Sequence, residues 1–145
     1  MEGKILAVNI SEKKGVHKTP VEEGYFKVDH GLVGDAHAGN WHRQVSLLGI
    51  ESINKMKAIG IEGLCTGKFA ENLTTEGIKL YELPVGTKLQ IGDTIQEVTQ
   101  IGKECHVGCA IFQQIGDCIM PREGIFTKVL KEGTVKPGDV IKVIE

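Results

Sequence analysis

The stretch GKECHVGCAIF, from Gly102 to Phe112, sets two cysteines four positions apart with a histidine between them, in a chain that has only four cysteines. Three chemistries use such an arrangement. A metal clip would take Cys105 and Cys109 as half of a tetrahedral Cys/His set, and a redox dithiol would cycle them through a disulfide. A single working thiol would instead need positive charge beside it, because the thiolate is both the nucleophile and the soft metal ligand. No second cysteine pair completes a zinc set: Cys65 and Cys118 stand alone, and His30, His37 and His42 belong to a distant stretch that the fold would have to bring close. Thioredoxin-type pairs are spaced C-x-x-C at a helix start, whereas this is C-x-x-x-C after a hairpin pattern. Cys65 and Cys118, beside apolar residues, read as small buried hydrophobes. Cys105 differs, since Lys103 precedes it by two and His106 follows it directly, and both favour a thiolate. It is the candidate nucleophile and metal-binding thiol, with His106 to tune it and Cys109 as the second choice.

The stretch DHGLVGDAHAGNWHRQVSLL, residues 29–48, is also chemically dense. It matches neither G-x-G-x-x-G nor G-x4-G-K-[ST], so it reads as a long loop that uses Gly31, Gly34 and Gly39 for turns. His30, His37, His42, Asp35 and Arg43 would make such a loop a ligand wall. Arg43 and Arg122 are candidates for gripping a phosphate, because a guanidinium fork matches it bidentately. For Arg122 an ordinary surface ion pair fits equally well, given Glu123 beside it.

Those groups must be positioned by a chain of 145 residues, 41% hydrophobic and 25% charged, which suits one domain over residues 1–145. A net charge of −2 supplies no general basic field, so a nucleic-acid partner is not expected and any anion must be held locally. No apolar run approaches the roughly 20 residues that span a bilayer, and MEGKILAVNISEKK lacks the features of a secretory signal. The expected location is the cytoplasm, where cysteines serve as buried thiols, ligands or reactive groups.

The 19 glycines are spread among short β-rich runs. KILAVNIS reads as a strand, and TKLQIGDTIQEVTQI as two strands turning at Gly92-Asp93. VKPGDVIKVI places a Pro137-Gly138 turn before another strand, and both segments look like barrel or sandwich edges. IESINKMKAIG, closed by Gly60, predicts a helix, as does REGIFTKVLKEG with Ile125, Val129 and Leu130 on one side. The expected architecture is mainly β: a closed barrel, mixed or antiparallel, with two or three short peripheral helices, since closure removes exposed strand edges.

GLVGDAHAG, RQVSLLGIESI, GKFAENLTTEGIKLYELPVGTKLQIGD and the cysteine that closes GDTIQEVTQIGKEC together resemble, in order and spacing, the MOSC domain family, named for the C-terminal domain of molybdenum cofactor sulfurase. The likeness runs from Ile5 to Ile144, and the ending from Pro121 is most similar to small stand-alone bacterial members. It implies a closed barrel with a pocket for the pterin-based molybdenum cofactor or a related anionic sulfur acceptor. The family's molybdenum-binding cysteine falls on Cys105, although Ile101-Gly102-Lys103-Glu104 departs from the PR-x-P run that many relatives carry there. His37, Asp35, Arg43, Lys103, Arg122 and Asn72 are then the candidate cofactor contacts. Glu71 and Asn72 match a family element and read first as groups tying strands by hydrogen bonds. The resemblance implies cofactor binding or sulfur carriage, with a cysteine desulfurase or a molybdoenzyme as partner. Pyridoxal phosphate chemistry is expected on another protein. Two alternatives stay open: a zinc-stabilised binding module, and a molybdenum-dependent reductase of N-hydroxylated compounds fed by a partner electron donor.

Overall fold

The computed structural model describes residues 2–13, 18–36, 38–58, 71–102 and 123–144. Cys65, Cys105, Cys109, Cys118, His37, Lys103, His106 and Arg122 lie outside these residues.

Eleven strands are present among the described residues: β1 (Glu2–Ile10), β2 (Thr19–Val21), β3 (Gly24–Lys27), β4 (Gly31–Leu32), β5 (Val45–Gly49), β6 (Leu73–Glu76), β7 (Lys88–Ile91), β8 (Thr94–Ile101), β9 (Ile125–Lys131), β10 (Gly133–Val135) and β11 (Val140–Val143). Helix α1 (Ile50–Ala58) and a 3-10 turn at Leu80–Glu82 complete them. Seven strands close into a barrel in the order β11-β7-β8-β9-β5-β6-β1, with β1 returning to β11. Only β5 and β6 run parallel in this ring, so the barrel is mixed. That pair needs a crossover, and α1 begins it directly after β5. β3 pairs with β4 and β10 in a separate three-stranded sheet.

Alternation explains the ring. Val8, Val45, Leu47, Leu73, Val98 and Ile125 are almost wholly buried in one apolar cluster, and each contributes about 1.5–3 kcal/mol by leaving water. The Gly92-Asp93 turn forms as expected, with Ile91 opposite Thr94 and Gly92 at φ 54°. The Pro137-Gly138 turn also forms, but it makes no hairpin: β10 pairs with β3, while β11 pairs with β1 and β7. Neither β7–β8 nor β11 is an edge, because closure gives every stave two neighbours.

One expected helix is a strand. Within REGIFTKVLKEG, Ile125–Lys131 form β9, flanked by β5 and β8. Ile125, Thr127 and Val129 alternate inward, a period-2 pattern that the apolar spacing 125/129/130 disguised as helical. β-branched residues and two waiting neighbours settle the competition in favour of the strand.

Candidate functional site

The glycine-rich stretch between β3 and β5 is a folded loop. Gly31 and Gly34 take φ 105° and 90°, as the turn reading requires, and Gly31 begins the short strand β4. A side chain at Gly31 would meet the Gln44 carbonyl oxygen at 2.5 Å, so the two ends of the loop press together there. Farther along, the Gly39 amide donates to the His30 carbonyl at 2.6 Å.

Asp35 anchors the middle of the loop. Its Oδ1 accepts from Lys18 Nζ at 2.7 Å and from the Ser11 amide at 3.1 Å, and both charged side chains are 0% exposed. Lys18 Nζ also reaches Ser11 Oγ at 3.2 Å, and the Ala36 amide donates to the Ser11 carbonyl at 2.8 Å. Burial alone would raise the Asp35 carboxyl. The Lys18 and Ser11 hydrogen bonds, the Lys18 charge and a bond from the Asn72 side chain outweigh it and hold the group below its ordinary value.

Asn72 extends this network across the wall. Its Oδ1 accepts from the Ser46 amide at 3.0 Å, its own amide donates to Ser46 Oγ at 3.0 Å, and its Nδ2 donates to the Asn9 carbonyl at 3.3 Å. Thr74 Oγ1 donates to Glu71 Oε2 at 2.7 Å, and Asn9 Nδ2 donates to Thr74 Oγ1 at 3.0 Å and the Glu71 carbonyl at 3.2 Å. Glu71 and Asn72 thus tie β1, β5 and β6 together.

A second cluster lies where the loop meets the end of β8. In β8–β9, Val98 opposes Thr127 and Gln100 opposes Phe126, so Thr99 is an extra residue, a bulge. Val98 points into the core, and regular alternation would return Gln100 inward; the bulge turns it to the Phe126 face instead. Phe126 in turn opposes Ser46 on β5, so Gln100, Phe126 and Ser46 form one cross-strand row on the outer wall of the barrel. Arg43 lies over this row: Nε donates to Gln100 Oε1 at 3.0 Å, and the guanidinium carbon is 5.3 Å from the Phe126 ring centroid. His42 Nε2 is 3.0 Å from the same Oε1, and Gln100 Nε2 donates to the Gly102 carbonyl at 2.7 Å. Thr99 Oγ1 lies between the carbonyls of His42 and Phe126. Arg43 makes no ion pair with a described residue.

The structure therefore brings Arg43 and His42 together, and joins Asp35 to Asn72 in the adjoining network. His30 contributes its carbonyl to the Gly39 amide, and among the described residues its side chain bonds to neither cluster. Glu123 is held by α1, accepting from Ser52 Oγ at 2.6 Å and Lys55 Nζ at 2.9 Å; that bond leads the influences that raise Lys55. Lys18, Gln100, Ser46 and Phe126 escaped the sequence reading. For Lys18, one of three lysines in the polar stretch SEKKGVHK, no local signal marked it out from the others; Gln100 sat at a strand position whose direction only the bulge sets. No group of three metal-ligating side chains occurs among the described residues, and no helix among them is long and apolar enough to cross a membrane. A cavity of about 330 Å³ lined by Glu2, Gln90, Gly92, Asp139, Val140 and Lys142 lies by the β7–β8 turn, at the other end of β8 from Gln100.

This architecture is similar to solved structures. YuaD from Bacillus subtilis superposes with a TM-score of 0.81 at 19% identity, over 99% of this chain and 96% of that one. YiiM from Geobacillus stearothermophilus gives 0.76 at 19% identity, over 99% and 75%, and YiiM from Escherichia coli 0.70 at 18%, over 100% and 70%. No curated protein matches the chain at a significant level. At the level of sequence, the profile of the MOSC domain matches residues 34–142, from the second turn glycine of the loop to the last stave of the barrel. The chain belongs to the MOSC domain family, which is associated with molybdenum cofactor-related proteins.

Proposed function

We propose that this protein binds a molybdenum-pterin cofactor, or carries sulfur for one, through the thiol of Cys105. The observation that carries the reading is the convergence of Arg43 and His42 on Gln100, whose other hydrogen bond is to Gly102. Cys105 follows Gly102 by three residues, a tether of roughly 10 Å when fully extended. Arg43 has its Nε committed and its plane set against Phe126, which leaves the terminal amino groups for a phosphate. That donor set fits an anionic pterin phosphate. Arg43 would hold the anion, with Lys103, His37 and Arg122 as further cationic candidates, and Cys105 would supply the soft thiolate that molybdenum accepts. The metal, when bound, supplies two-electron redox and ligand-exchange chemistry. Asp35 and Asn72 serve the pocket indirectly, since their polar atoms are engaged in fixing the loop and strands. A cytoplasmic setting, with a cysteine desulfurase or a molybdoenzyme as partner, belongs to the same proposal.

The test is purification from cofactor-producing cells, followed by elemental analysis, pterin fluorescence and peptide mass spectrometry of Cys105. Molybdenum with pterin, or a persulfide on Cys105, is expected, and Cys105→Ser should abolish it. Zinc in place of molybdenum with an unmodified Cys105 overturns the reading. Limiting alkylation near neutral pH should mark Cys105 before Cys65 or Cys118; if Cys109 reacts first, the working thiol is four residues later.

A further inference from the structure

Gln100 drew no reading of its own from the sequence, yet it is where two nitrogen donors of the loop meet. Arg43 Nε carries a hydrogen at every accessible pH, so the atom 3.0 Å from it must be an acceptor. This decides the orientation of the Gln100 amide: Oε1 faces the arginine, and Nε2 donates to the Gly102 carbonyl at 2.7 Å. The same Oε1 faces His42 Nε2 at 3.0 Å. A carbonyl oxygen cannot donate, so His42 Nε2 must carry the hydrogen. The neutral imidazole is therefore the Nε2–H tautomer, with its lone pair on Nδ1. No described residue bonds to that nitrogen. Rotating the amide would place an N–H against the arginine and cost the bond to Gly102, so the arrangement locks itself. The Thr99 bulge completes it by turning Gln100 to the Phe126 face.

We infer that Gln100 is the positioning residue of this site: it fixes the tautomer of His42 and the orientation of Arg43, so that the site presents a set guanidinium together with one basic imidazole nitrogen. Its consequence for an anion rests on the binding reading above, but its geometry does not. The ligand class is a phosphate-bearing anion that accepts from the Arg43 guanidinium.

The experiment is ¹⁵N NMR of the histidine rings and the Arg43 Nε–H near pH 8, above the ordinary imidazole range, with inorganic phosphate as the probe. Wild-type protein should show His42 as the Nε2–H tautomer and a slowly exchanging Arg43 Nε–H. Gln100→Leu should give mixed His42 tautomers, fast Arg43 exchange and phosphate binding weakened about tenfold, the order of one hydrogen bond to a charged group. Gln100→Glu gives up the donor to Gly102 but offers an acceptor oxygen in either orientation, so it should restore the His42 tautomer and the slow Arg43 Nε–H exchange, which a merely space-filling role would not predict. An Nδ1–H tautomer in the wild type overturns the inference even if Gln100→Leu fails to fold, as does an unchanged His42 and Arg43 signature in that variant. Wild-type protein with the expected signatures that binds no phosphate upholds the positioning role and counts against the anion-binding reading instead.

Discussion

Replacing Asp35 with leucine breaks the ion pair it makes with Lys18 inside the protein. Both side chains are 0% exposed, and the contact is 2.7 Å. Breaking a buried ion pair from one side costs about 3–5 kcal/mol, because the remaining charge stays desolvated. At this chain length each kcal/mol moves Tm by roughly 3–5 °C, so Asp35→Leu should melt about 9–25 °C below wild type. Lys18→Met should cost a comparable amount from the other side. The double variant removes both charges and should recover at least about 2 kcal/mol relative to the sum of the singles, since apolar replacement of a whole buried pair is often close to neutral. Urea unfolding followed by circular dichroism gives the four stabilities of this cycle. Two results would refute the reasoning: an Asp35→Leu cost below about 1 kcal/mol, which would mean water reaches the pair, or a double variant destabilised by the full sum, which would mean the residues act independently.

Two further outcomes follow from the same geometry. Because the folded-state pKa of Asp35 is lowered, its contribution is fully present above the unfolded value near about 3.9 and is lost as pH falls through the folded value; the stability gap between wild type and Asp35→Asn, from urea midpoints, should be constant at neutral pH and shrink only below about pH 4. Gly31→Ala and Gly138→Ala both force alanine to positive φ, 105° and 95°, but only the first drives a Cβ to 2.5 Å from a backbone oxygen, the other site having nothing within 4 Å; the first should cost about 2–4 kcal/mol and the second about 1, and equal costs by thermal melts would contradict the close approach of Gly31 to Gln44.

Local chemistry made much of the fold legible. Gly92-Asp93 announces a tight hairpin because glycine reaches positive φ cheaply, and Ile50 to Ala58 carries a helical spacing that the structure honours. The order of motifs across the chain made the family legible as well, and the closed mainly β barrel with it. The same local evidence misled at Ile125–Lys131, where a helical-looking spacing lost to the hydrogen bonds offered by β5 and β8 on either side. A strand position has no identity until its neighbours exist.

At the candidate site the division is the same. The chemical richness of residues 29–48 was visible from residue types, and so was the architectural role of Glu71 and Asn72. Which groups meet was not. Arg43 and Gln100 are 57 residues apart, Asp35 and Lys18 are 17 apart, and nothing within either segment encodes the pairing. Gln100 faces Arg43 only because a single extra residue, Thr99, shifts its strand by one position and reverses which side of the wall it occupies. Sequence by itself determines which side chains can donate, accept or carry charge, since that chemistry is intrinsic to each residue. Barrel closure and the β8 bulge decide which of them come within hydrogen-bonding distance, since register and face depend on strands far away in the chain.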